Sequence, residues 1–101
     1  MAFKAAFIFV APEADAEKHR AVVDSPAVNL TVVGVKDYQM GVKAAEELVA
    51  HGVTAIELCA GFGVEGAAMV KQAVQGKAVV GVVRFDNHPG FEFKSGDELF
   101  M

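Results

Sequence analysis

Cys59, Glu57 and His88 are the side chains in this sequence best suited to chemistry. Cys59 stands just before the glycine-rich stretch Gly61-Phe62-Gly63-Val64-Glu65-Gly66. A thiol near a helix N-terminus is favoured as thiolate, and a histidine within reach would serve as its base. His88 meets that need if residues 84–88 return to the same edge. The plainer reading, which the sequence favours, makes Cys59 a small buried apolar residue. Glu57 lies between Ile56 and Leu58, in a run that reads as a strand buried on both faces. A carboxylate there is costly unless it is paired or used. An ion pair with Arg84 is the first expectation; a carboxyl kept for acid–base work is the second. An enzyme built on these residues would be a small isomerase, lyase or hydrolase.

The glycine stretch matches G-x-G-x-x-G, with a strand before it and a helix after it, and Asp86 follows about twenty residues later. That is the outline of a dinucleotide fingerprint. The chain is too short for the second nucleotide-binding half, so neither NAD nor FAD is expected, and no other cofactor is called for. A smaller role survives. Free backbone N–H groups at Gly61, Gly63 and Gly66, at a helix N-terminus, suit a phosphate, sulfate or carboxylate. Glu65 in the first helical turn competes for that role. The preferred account is that these glycines allow a tight turn and close packing.

Ligands of open parallel sheets sit beyond the C-terminal strand ends. That edge should gather Glu13, Asp37, Cys59, Arg84, Asp86, Asn87 and His88, with Arg84, Asp86 and His88 as candidate ligand contacts beside the glycines. Asp86-Asn87 and Pro89-Gly90 are also ordinary turn residues. One site histidine among scattered carboxylates does not make a metal site. A single cysteine forms no internal disulfide and fits a reducing, cytoplasmic setting.

Four apolar runs would position these residues: 3–10, 28–35, 53–60 and 77–85. Most are continuously apolar, as strands buried on both faces are. Helices are expected over 15–24, stopped by Pro26; over 37–51, stopped by Gly52; and over 64–75, stopped by Gly76. The order βαβαβαβ predicts an α/β domain over 1–86, a four-stranded, mainly parallel sheet with three helices. An open Rossmann- or flavodoxin-like sheet in the order 2-1-3-4, with helices on both faces, is favoured. A half-barrel that needs a twin to cover its interior is the alternative.

The sequence has 101 residues, 53% hydrophobic and 22% charged, enough for one core. Nine Lys and Arg against thirteen Asp and Glu give a net charge of -4, which disfavours a nucleic-acid partner. No apolar stretch is long enough for a membrane helix, and the start makes a poor signal peptide. The tail, 87–101, is too apolar to dangle in water. Phe91-Glu92-Phe93 reads as a short strand, and the tail is expected to pack on the body or on a second subunit. A homo-oligomer, for instance a dimer, is therefore expected.

The segments Lys4-Ala5-Ala6-Phe7-Ile8-Phe9-Val10-Ala11-Pro12, Glu57-Leu58-Cys59-Ala60-Gly61-Phe62-Gly63 and Val83-Arg84-Phe85-Asp86 resemble a family of small bacterial α/β proteins of unknown function. The resemblance implies a fold and a bacterial cytosol, and no activity. The leading functional expectation is binding of a small anionic metabolite at the rim. The alternatives are the small enzyme above and a structural or partner-binding module that uses the tail.

Overall fold

Five strands form one sheet: β1 (Phe3–Val10), β2 (Arg20–Asp24), β3 (Val28–Val35), β4 (Ala55–Leu58) and β5 (Val79–Val82), in the spatial order β2-β3-β1-β4-β5. The computed structural model describes residues 2–101. β3, β1, β4 and β5 run parallel, and β2 is antiparallel to β3. The four parallel strands lie in the order 2-1-3-4 expected of an open sheet, which excludes the sequential order of a half-barrel. The sheet nevertheless has five strands and one antiparallel pair.

The extra strand replaces the first expected helix. Asp15 begins as a helix cap does: its Oδ1 accepts from Glu17 N at 2.8 Å and Lys18 N at 3.2 Å, and these amides hold its carboxyl below the usual carboxylate range. The turn ends at once, because the β-branched Val22 and Val23 gain more by pairing with Thr31 and Leu30 of β3. Pro26 lies in the hairpin loop. Ser25 fastens that loop, with its hydroxyl donating to Val28 O at 2.7 Å.

α1 (Tyr38–Ala50) starts at Asp37, whose carboxylate accepts from Met40 N, and α2 (Val64–Ala73) starts at Gly63. Gly52 and Gly76 follow the helices in left-handed conformations, φ 97° and 81°. The crossovers β3-α1-β4 and β4-α2-β5 advance in the same direction, so right-handed connections put both helices on one face. The burial pattern agrees. Ala6, Ile8 and Val10 of β1 pair with Thr31, Val33 and Val35 of β3, and Ala6 and Ile8 also pair with Ile56 and Leu58 of β4. Apart from the half-buried Thr31, all of these are buried beneath the helices with Ala45, Leu48 and Val70.

The helices expected on the second face are absent, because the β1-to-β3 connection that would have carried one became a hairpin. Phe3, Ala5, Phe7 and Phe9 of β1, Val28, Leu30 and Val32 of β3, Val23 of β2 and Val79 of β5 line that face by alternation. They are half-buried or exposed, Val79 to 71% and Phe3 to 50%. The molecule measures 41 × 26 × 20 Å, and its thinnest dimension is one sheet plus one helical layer.

The tail is not a strand. Pro89–Phe91 makes one 3-10 turn, Glu92 and Phe93 take left-handed φ values of 55° and 63°, and α3 (Gly96–Phe100) follows. Ser95 and Glu98 form a reciprocal capping box at its start. Phe100 is buried in the core.

Candidate functional site

Parallel pairing brings the C-terminal ends of β1, β3, β4 and β5 to one edge. The chain leaves that edge through Pro12-Glu13, Lys36-Asp37, Cys59–Gly63 and Val83-Arg84. Glu13 turns the chain in a left-handed conformation, φ 63°. Asp37 is engaged in capping α1.

At the glycine turn the chain itself fills this rim. Gly63 N donates to Tyr38 Oη at 2.9 Å. The Tyr38 hydroxyl donates to Asp97 Oδ1 at 3.0 Å, and Glu65 N donates to Asp97 Oδ2 at 3.4 Å. Both oxygens of one carboxylate are thus held at the N-terminus of α2, where the exposed amides and the helix dipole favour negative charge. Each glycine of the turn admits a neighbour: a Cβ on Gly63 would strike the Asp97 carboxylate, one on Gly66 the Tyr38 ring, and one on Gly61 a Val10 methyl. Gly96 in turn lies against the Gly61 carbonyl, so α3 is seated directly on the turn. Burial pushes the Tyr38 phenol well above its ordinary value; the Gly63 N–H pulls it down, and the Asp97 carboxylate adds to the rise.

An aromatic chain continues along the rim. Tyr38 stacks on Phe62 with ring centroids 5.3 Å apart, and Phe100 joins Tyr38 at 6.3 Å and Phe91 at 5.3 Å. His88 stacks on Phe91 at 4.0 Å, and its Nδ1 accepts from Gly90 N at 3.0 Å. Between the exit of β1 and the tail lies a cleft of 390 Å³, lined by Pro12, Phe91, Glu92, Lys94, Leu99 and Phe100.

The residues singled out from the sequence are divided by this arrangement. Cys59 is half-buried, and its Sγ accepts from Gly61 N at 3.2 Å. Among the described residues no hydrogen bond joins it to His88, which stacks on Phe91 instead. Arg84 does not pair with Glu57. Its Nε binds Asp86 Oδ1 at 2.8 Å in an exposed ion pair of small energetic weight. Glu57 is exposed on the uncovered face of the sheet, between Phe7 of β1 and Gly81 of β5. Its strand is covered on one side only, so the carboxylate needs no partner.

Tyr38 and Asp97 were not legible as site residues, since they lie 59 positions apart. Ser95-Gly96-Asp97-Glu98 does carry the capping-box spacing, and that signal marks where α3 begins. Among the described residues no group of three or more His, Cys, Asp and Glu side chains could hold a metal ion. Nor is any helix among them long and apolar enough to cross a membrane.

Fold and rim together define a two-layer α/β domain: a largely parallel sheet with an antiparallel edge strand and a glycine turn closed by the C-terminal helix. The chain belongs to the family described as "Family of unknown function (DUF6506)", whose pattern matches residues 3–98. No curated protein and no solved structure matches it.

Proposed function

We propose that this domain binds a small carboxylate- or phosphate-bearing metabolite at the strand-exit rim, with Asp97 as the internal occupant that the ligand replaces. One observation carries the reading: the glycine turn and the Tyr38 hydroxyl already hold a carboxylate by both oxygens. Donors that seat one carboxylate suit another of the same geometry. The cleft beside α3 offers room for the body of such a ligand, and Lys94 supplies a cation in its lining.

The tethered carboxylate competes at a high effective concentration, so the ligand binds weakly until α3 lifts. Asp97→Ala removes the competitor and leaves a carboxylate-sized space. Acetate and inorganic phosphate, titrated separately, should then shift the amide resonances of residues 63–66 saturably at low millimolar concentration. The wild-type chain should need about tenfold more. Absence of shifts in both proteins at these concentrations would remove the rim as an anion site.

A further inference from the structure

We infer that the uncovered face of the sheet packs against a second copy of this chain, and that Glu57 sets the strength of the pairing. Phe3, Phe7, Phe9, Leu30 and Val32 form the middle of that face, and no helix lies over them. Side chains of this kind are covered in a stable α/β domain.

The areas suit a second copy. The chain exposes 6078 Å², against roughly 5,500 Å² for a monomer of its mass. The excess, about 600 Å², reaches the small end of one partner's share of a standard interface. Strand spacing and rise give the face a footprint of roughly 450 Å². Side-chain relief adds to this, so two faces reach the scale of about 1,000 Å² that a specific interface needs. The apolar face of a sheet is also complementary to a second copy of itself. Two such sheets pack face to face about 10 Å apart, and a two-fold axis covers both at once. The strand-exit rims stay open at the edges of such a pair.

Glu57 is the one charged strand residue on this face. Its neighbours across the ladders are Phe7 and Gly81, neither of which carries a charge. No atom lies within 4 Å of where a Gly81 side chain would begin, so a hollow adjoins the carboxylate. The nearest cation in sequence beyond β5, Arg84, is already held by Asp86. Pairing therefore moves two carboxylates out of water with no cation from their own ladder neighbours. That cost weakens the interface and keeps it reversible.

Sedimentation equilibrium on the full chain tests both parts. The wild-type chain should pair with a dissociation constant in the micromolar range, and Glu57→Gln should tighten it about tenfold. Val79→Asp, at a position 71% exposed where no core contact is lost, should weaken pairing at least about tenfold. Val64→Asp, a comparably exposed change on α2, should leave pairing unchanged. If wild type and Glu57→Gln both stay monomeric at about 500 µM, the second copy is wrong, and the face is left to a different protein that offers Glu57 a cation. Weaker pairing in Glu57→Gln would overturn the role assigned to Glu57, and equal effects of Val64→Asp and Val79→Asp would overturn the location.

Discussion

Ala6, Ile8 and Val10 of β1 point into the helical layer and are 0–3% exposed; Phe3, Phe7 and Phe9 of the same strand point the other way and meet no helix. The uncovered side of β1, with Phe3, Ala5, Phe7 and Phe9, is at least as apolar as the covered side, which carries Lys4, so hydrophobicity alone does not determine which face a domain covers. The connections do. Two helical crossovers advancing in one direction cover one face, and the hairpin between β1 and β3 uncovers the other. The rim differs again: there the chain satisfies itself, with α3 seating Asp97 in the glycine turn.

The largest contrast between the faces should be energetic. Ile8→Ala, beneath the helices, should cost about 3–4 kcal/mol, read from urea unfolding, because a filled space becomes a cavity. Val79→Ala on the open face should cost less than about 0.5 kcal/mol in the monomer. Equal costs would show that something covers both faces.

A second prediction concerns the rim. Tyr38 is the only tyrosine and the chain has no tryptophan, so phenolate absorbance reports this site alone. Its native pKa is raised, so the native state keeps its proton while the unfolded state loses it above pH ~10. The stability it contributes is full below that pH and falls as pH rises further. Phenolate should therefore appear together with loss of helical circular dichroism. Phenolate forming near pH ~10 in a chain that stays folded would mean that α3 does not shield the hydroxyl.

The smallest effect separates two glycines. A side chain on Gly34 would meet the Phe9 ring, whereas one on Gly81 would meet nothing within 4 Å. Gly81→Thr should be neutral or stabilising by up to about 1 kcal/mol in thermal melts, since glycine weakens a strand. A loss from Gly81→Thr at monomer concentrations would show hidden crowding on the open face.

Much of this arrangement could be read from residue patterns. The four parallel strands, their order, and the helix stops at Gly52 and Gly76 follow from apolar runs and local stop signals. β2 was obscured because Asp15 caps a genuine turn and Pro26 ends the segment, as in a short helix; only pairing with β3 turns Val22 and Val23 into a strand. Continuous apolar runs suggested two covered faces, yet the pattern records what a residue prefers and not whether a helix arrives. At the rim the glycine turn was visible locally. Its occupant was not, since Asp97 reaches it through the left-handed Glu92-Phe93 turn and the docking of Gly96 on Gly61.

A mixture of isotope-labelled and unlabelled chain, studied by filtered NOE spectroscopy, observes contacts between copies directly. Intermolecular contacts are expected among Phe7, Phe9, Leu30 and Val32, on the apolar face that no helix covers. Intermolecular contacts confined to α1, α2 or the tail, with Phe7 and Leu30 seeing only water, would contradict pairing through that face.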